Sequence, residues 1–300
     1  MSMDSEDFKV LPGKKTSLKD FDSGWEPRWA KKKEDEEGKK AVKEQASATL
    51  EENTQKLVEL QELFWASHTY SMLIILQGMD AAGKDSVIRH VLSGVNPQGC
   101  QVTAFKTPSE EELNHDFLWR NVKALPERGS IGIFNRSYYE DVLIVKVRPE
   151  VLERENLPAG MEGKLFWKQR YEDINMFEQH LVRSGTVILK FFLHVSKEEQ
   201  KQRFLKRLED PNKNWKFSAM DLSERSKWAD YLNAYEEMVN ETSTEWAPWY
   251  IIPADKKWVT HASVSDIIVS QIEKLGLKYP VLSKEQNEAW EKGKAELEKE

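Results

Sequence analysis

The sequence predicts an α/β protein, a three-layer α/β/α sandwich built on a parallel sheet. Met72-Leu73-Ile74-Ile75-Leu76 is a short, unbroken apolar run ending at Gln77-Gly78, the pattern of a strand covered on both faces. Four more β-rich segments follow at 102–105, 131–134, 187–193 and 250–253. Helical patterns fill the intervals near 84–95, 110–124, 164–183, 197–209 and 221–241. Strands alternating with helices imply parallel pairing through right-handed crossovers.

In chain order, residues 1–40 are polar, punctuated by Gly13, Gly24 and Pro27, and end in the mixed charge run from Lys31 to Lys40. They read as a charged arm, with the run as solvated surface or a contact to a sister subunit. From Ala41 to Ala66, Leu50, Leu57, Leu60 and Phe64 recur at spacings of seven, three and four without Pro or Gly, which predicts an amphipathic helix leading into the first strand. A single domain is expected over 41–282. Within it, 197–230 differs: a Lys/Arg-rich helix runs into Glu209-Asp210-Pro211-Asn212-Lys213-Asn214-Trp215-Lys216 before the next helix, so a helical excursion with a turn at its tip is expected. Residues 283–300, rich in Lys and Glu, predict an exposed C-terminal helix.

Composition narrows the function. With 44 Lys+Arg against 51 Asp+Glu, the net charge of −7 argues against a nucleic-acid or acidic-membrane binder, which would present a dominant basic field. Cys100 is the only cysteine, so no intrachain disulfide can form, and a reducing compartment, the cytoplasm, is expected. The acidic start lacks the features of a signal peptide, and the apolar runs fall far short of the roughly 18 residues that span a bilayer. The six histidines show no pairing at metal-ligand spacing. Trp215, Trp228, Trp246, Trp249 and Trp258 crowd the last third; most read as core or interface, with Trp215 placed where it could stack on a base.

The chemistry gathers at the strand ends. Gly78-Met79-Asp80-Ala81-Ala82-Gly83-Lys84 is G-x-x-x-x-G-K directly after a buried strand and directly before a helix, the context of a phosphate-binding P-loop. Its glycines let successive N–H groups and the helix N-terminus face a phosphate chain, and Lys84 adds a mobile positive charge. Gly78, Ala81, Ala82, Gly83, Asp85 and Arg89 form the candidate phosphate-binding set with it. Asp85 stands where a Mg²⁺-holding Ser or Thr would, and Ser86 lies about 100° further round the helix. Asp80 inside an anion cradle would repel phosphate unless it held a metal ion or activated the acceptor. After the third strand, Asn135-Arg136-Ser137-Tyr138-Tyr139-Glu140-Asp141 has a neutral residue at its head, so Glu140 or Asp141 is the expected metal partner, with Arg136 beside the reacting phosphates. The basic excursion offers Arg203, Lys206, Arg207, Lys213 and Lys216 as a lid over a polyanion. Phe105 and Lys106 follow the second strand at the sheet edge where ligands bind in open α/β folds.

Three segments in this order, Gly78 to Asp85, Phe134 to Asp141 and Pro211-Asn212-Lys213-Asn214-Trp215-Lys216-Phe217, resemble motifs of the polyphosphate kinase 2 family over roughly residues 40–280. The resemblance implies a thymidylate-kinase-like P-loop kinase fold with a helical lid. It implies phosphoryl transfer between inorganic polyphosphate and purine nucleotides (AMP, ADP, GMP, GDP), with Mg²⁺ as cofactor and Mn²⁺ as a substitute. Asp80, Lys84, Arg136 and Glu140 would then form the reaction centre, with Asp80 and Glu140 as metal ligands and Phe105, Lys106, Arg120 and Asn135 around the nucleotide. The Asn135-Arg136-Ser137-Tyr138-Tyr139 version resembles the branch that accepts both mono- and diphosphates, although Ser86 departs from an expected Gly. No nucleic acid or membrane partner is expected, and a homo-oligomer, dimer or tetramer, is. An ATP-dependent nucleotide or small-molecule kinase of the same fold is the alternative.

Overall fold

The computed structural model describes residues 5–27, 36–155, 157–212 and 214–300. Five strands, β1 (Ser71–Gln77), β2 (Cys100–Ala104), β3 (Ile131–Asn135), β4 (Thr186–His194) and β5 (Trp249–Pro253), form one sheet in the order β2-β3-β1-β4-β5. All four pairings are parallel. Every residue of β1 and β5 is buried, which is why both read as continuous apolar runs rather than alternating ones. The register that sets Leu76 beside Asn135 brings the carboxyl ends of β1 and β3 together, at the place in the sheet where an α/β fold binds its ligand.

The longer helices are α1 (Glu36–Ser67), α2 (Lys84–Val91), α3 (Gly163–Arg183), α4 (Lys197–Glu209), α5 (Ala219–Ser226), α6 (Trp228–Thr242), α7 (Lys257–Glu273) and α8 (Lys284–Leu297). On one face α3 packs on β4 and α6 packs on α3; on the other, α7 lies beside β5 and against α2. The long α1 lies across α7, where Ala46 meets Val259 and Ala262 and Asn53 Nδ2 donates to Ser265 Oγ at 3.1 Å. Helix α7 is absent from the sequence reading. Val259 to Ser265 and Ile267 to Val269 are all buried, so α7 is enclosed on several sides and shows no polar stripe by which its period could be read.

Two expected helices break in the middle. The interval 110–124 holds two short helices, Glu110–Leu113 and Trp119–Val122, each with its own start signal: a Ser109/Glu112 capping box and an Asp116 carboxylate accepting from the Leu118 amide. The interval 221–241 divides at Lys227 into α5 and α6. The excursion is α4, a tip whose turn spans Asn214–Lys216, and α5.

Residues 5–27, read from the sequence as an arm, run along the β5 edge. The Val10 amide donates to the Trp249 carbonyl, Lys9 forms an antiparallel bridge to Tyr250, and Phe8, Val10 and Leu18 are buried. The Leu18 amide and Ser17 hydroxyl both reach Glu236, so this segment covers an otherwise open edge. Part of the charge run, residues 31–35, lies outside the described residues. Helix α8 buries no residue, as its composition predicts.

Candidate active site

The loop between β1 and α2 is bent by two glycines. Gly78 has φ +151°, and a Cβ placed there would stand 2.8 Å from the Leu193 carbonyl oxygen; Gly83 caps α2 at φ +116°. Ala81 lies between them at φ +61°, a conformation alanine adopts at a cost of about 1 kcal/mol or more. The loop is braced from the lid. Arg203 of α4 donates through Nη1 to the Ala81 and Ala82 carbonyls (2.9 Å each), through Nη2 to the Ala254 and Asp255 carbonyls, and through Nε to Glu199. Gln200 donates to the Asp80 carbonyl at 2.9 Å. The five N–H groups of Arg203 are thereby occupied by protein acceptors.

Lys84 folds back over the loop, its ammonium donating to the Gly78 carbonyl at 2.5 Å and to Met79 at 3.3 Å. Burial, reinforced by Arg136 and opposed by Asp80 and Glu140, lowers its pKa to about 8. Arg136 follows β3 at φ +64°, in a left-handed conformation uncommon for a side chain of this size. Its Nη2 donates to Asp80 Oδ1 at 2.6 Å, and its Nη1 lies 3.9 Å from Glu140 Oε2. Glu140, then Asp80, raises the pKa of the guanidinium. The Gln77 amide, its nitrogen turned toward the carboxylate, donates to Glu140 Oε1 at 2.9 Å. Asp80, Lys84, Arg136 and Glu140 thus form one constellation, though 60 positions separate the ends of that set in the chain.

A buried charge pair anchors the turn that carries Glu140. Lys190, in the middle of β4, donates to Glu178 Oε2 (2.6 Å), the Tyr139 hydroxyl (3.0 Å) and the Thr242 carbonyl (2.7 Å). Glu178 Oε1 accepts from both the Tyr138 and Tyr139 hydroxyls. Neither charged side chain is exposed to solvent. This network is invisible in the sequence, because a lone Lys in an apolar strand and a lone Glu in a helix carry no motif.

Two cavities meet at Arg136. One, of about 950 Å³, follows the P-loop and is lined by Asp80 to Ser86, Asn135, Arg203, Lys206, Arg207, Asp221 and Lys257. The other, of about 290 Å³, is mixed apolar and charged and includes Pro108, Phe117, Arg120, Glu140, Asp141 and Arg148. Phe105, Lys106, Thr107 and Arg136 line both. Arg120 lies over the Phe105 ring and donates to the Lys106 carbonyl at 2.8 Å. Asn135 donates to Asp85 Oδ1 at 2.8 Å, closing the gap between β3 and α2. Asp141 turns into the wall beside Arg170, where burial pushes its pKa up to about 7. Arg207 lies 3.6 Å from Asp221 across the lid.

Not all candidates converge. Arg89 is exposed near the end of α2 and is absent from the lining of both cavities. Lys213 lies outside the described residues, and Lys216 is described in its backbone alone, at the lid tip. Trp215 is 73% exposed there, its indole N–H donating to the Asn212 carbonyl. Arg148 and Lys257 were missed from the sequence, since each belongs to a cavity wall assembled from distant segments. Among the described residues no group of three or more His, Cys, Asp or Glu is placed to hold a metal ion, and no helix is long and apolar enough to cross a membrane.

Comparison with known proteins gives a consistent result. The family model described as polyphosphate kinase 2 matches residues 40–279. A protein of Rhodopseudomonas palustris named ADP-polyphosphate phosphotransferase is 50% identical over 281 residues, covering 93% of each chain. The AMP/ADP-polyphosphate phosphotransferase of Meiothermus ruber is 44% identical over 273 residues, 91% of this chain and 94% of that one. A crystal structure of polyphosphate kinase 2 from Arthrobacter aurescens superposes with a TM-score of 0.81 at 39% identity, over 94% of this chain and 93% of that one.

Proposed function

This chain belongs to the polyphosphate kinase 2 family and is a polyphosphate:nucleotide phosphotransferase, and we propose that AMP and ADP both serve as its acceptors, with GMP and GDP as further substrates. The observation that carries the reading is Arg136 at the junction of the two cavities, where a phosphoryl group passing from a donor in one to an acceptor in the other must go by it.

The P-loop amides and Lys84 hold donor phosphates in the larger cavity, and Lys206 and Arg207 hold the chain from the lid side. The acceptor sits in the smaller cavity against Phe105, Lys106 and Arg120, its phosphate turned toward Arg136. An acceptor phosphate oxygen bonds to the terminal phosphorus of the chain while the bridging P–O bond breaks, and the shortened polyphosphate keeps the bridging oxygen and its charge. Arg136 offsets charge spread over the group in flight. Asp80 and Glu140 suit a Mg²⁺ or Mn²⁺ ion, because Mg²⁺ is commonly bound by one or two carboxylates together with substrate phosphates and water, so a three-carboxylate cluster is not required. Such an ion supplies charge neutralisation between the phosphates. Direct transfer requires no covalent enzyme intermediate.

The reading extends to a homo-oligomer, dimer or tetramer, in the cytoplasm. Cys100 has no intrachain disulfide partner, and among the described residues nothing buries Trp290 or Leu297 of α8. Mass measurement in solution tests the assembly.

The deciding experiment incubates the protein with AMP or ADP, Mg²⁺ and long-chain polyphosphate without ATP, and follows the nucleotides by chromatography. ADP from AMP, and ATP from either, is the expected result. Product from one acceptor alone would remove the dual-acceptor reading. Turnover only when ATP is supplied would make the protein an ordinary ATP-dependent kinase.

A further inference from the structure

Beyond the P-loop groove, a second hollow of about 600 Å³ opens between α1, the end of α2, α4 and the start of α7. It joins the groove directly, because Arg203, Lys206 and Lys257 line both. Lys43 of α1 and Lys256 add cations at the far side, and Ala46, Leu50 and Trp258 also line it. Its two carboxylates are held by neighbours: Glu199 accepts from Arg203 Nε at 2.8 Å, and Asp255 accepts from the Ser196 amide at 2.7 Å and the Ser23 hydroxyl at 2.9 Å. Lys256 is paired with Glu26 at 2.6 Å. On a chain whose net charge is −7, this concentration of lysines is a local reversal of field leading away from the reaction centre.

The wall nearest α2 is built from two histidines. The His90 and His261 rings stack with centroids 4.9 Å apart, and the Ser86 hydroxyl lies 3.0 Å from His261 Nε2. Burial pushes His261 down to about 4, so it meets a ligand as a neutral imidazole, and the positive field comes from the lysines. Ser86, at the position where the family resemblance leads one to expect Gly, therefore links α2 to α7 beneath the hollow.

We propose that this hollow is a distal subsite for the linear polyphosphate chain, gripping phosphates beyond those held at the P-loop through Lys43, Lys206, Lys257 and the His90 edge. The proposal rests on polyphosphate being the donor. A nucleotide triphosphate ends within the groove, whereas a long polyanion continues outward, and the lysines shared by the two hollows offer it a basic path into the second. The subsite therefore sets affinity for long chains and leaves the transfer step untouched.

The test compares the wild type with Lys43→Glu and His90→Gln, both outside the reaction centre, on a series of linear polyphosphates of graded length. Lys43 and His90 are exposed, so both variants are expected to melt as the wild type does. In Lys43→Glu the KM for long chains is expected to rise about tenfold and the salt dependence of that KM to flatten by about one unit of log–log slope or more. For the shortest chains that turn over, KM is expected to stay put, and kcat to stay put at every length. His90→Gln is expected to show the same length-selective pattern to a smaller degree. An equal change at every length, or none at any, overturns the subsite while leaving the enzyme's activity standing. A wild type that turns over ATP but no polyphosphate overturns the activity itself and the subsite with it.

Discussion

Arg136 Nη2 and Asp80 Oδ1 lie 2.6 Å apart, so the guanidinium that follows β3 and the carboxylate inside the P-loop neutralise one another. The pair explains how an acidic side chain can stand in a P-loop: it is offset by a guanidinium supplied from the neighbouring strand. On the proposed mechanism, substrate phosphates would compete with Asp80 for Arg136 and free the carboxylate for a metal ion or for the acceptor. Arg136→Lys keeps a charge but loses the planar fork, and kcat is expected to fall about 100-fold or more with little change in melting temperature. Asp80→Asn is expected to lower kcat by a similar order. Steady-state kinetics checks both; near-wild-type kcat in either variant removes that residue from the mechanism.

The pKa of Lys84, lowered to about 8, gives a pH signature. The resting enzyme carries this charge below about pH 8 and loses it above, while a bound phosphate chain restores it. Binding of polyphosphate near pH 8 is therefore expected to take up a proton, and kcat/KM is expected to decline on the alkaline side. Calorimetry in two buffers of different ionisation enthalpy reads the proton; identical observed heats in the two buffers would contradict the assignment.

Gly78→Ala places a methyl group 2.8 Å from the Leu193 carbonyl at φ +151°. Both the clash and the backbone conformation act on the loop that cradles phosphate. A stability loss of about 2 kcal/mol or more, together with loss of polyphosphate binding, is expected from denaturant titration and binding measurements.

The Lys190–Glu178 pair sits without solvent behind the Tyr138-Tyr139 turn. Glu178→Gln leaves the ammonium with a neutral partner, and a loss of about 3 kcal/mol is expected. Tyr139→Phe removes one hydroxyl from the same network and is expected to cost about 1 kcal/mol. A double-mutant cycle in urea measures the coupling; additive losses would show that the two groups act separately.

On the proposed reading the lid cations act by charge more than by fixed geometry. Arg207, opposite Asp221 on the lid, lines the P-loop cavity with Lys206. Arg207→Gln is expected to raise the KM for polyphosphate and to flatten its dependence on ionic strength. An unchanged salt profile would take Arg207 off the polyphosphate track.

Local chemistry written in consecutive residues was legible in the sequence. The buried run before Gly78, the Gly-rich loop ending at Lys84 and the segment Asn135 to Asp141 specify a strand, an anion cradle and a charged turn through local pattern alone, and the order of elements implies parallel pairing. Helix α7 stayed hidden because enclosure on several sides erases the polar stripe that reveals a helix. The breaks at 114–118 and Lys227 stayed hidden because caps act over single hydrogen bonds inside stretches that otherwise suit a helix.

What only the tertiary structure decided is which charges face one another. Arg203 looked like a polyanion contact by its helix spacing, yet the fold sets it under the P-loop, where carbonyls occupy its donors. Lys190 and Glu178 are 12 positions apart and meet because β4 and α3 pack together. Electrostatic pairing depends on distances of a few ångströms between chain segments far apart in order, and residue spacing along a single element carries no information about them. The sequence determined the elements and the reaction's ingredients, and packing determined which of those ingredients share a cavity.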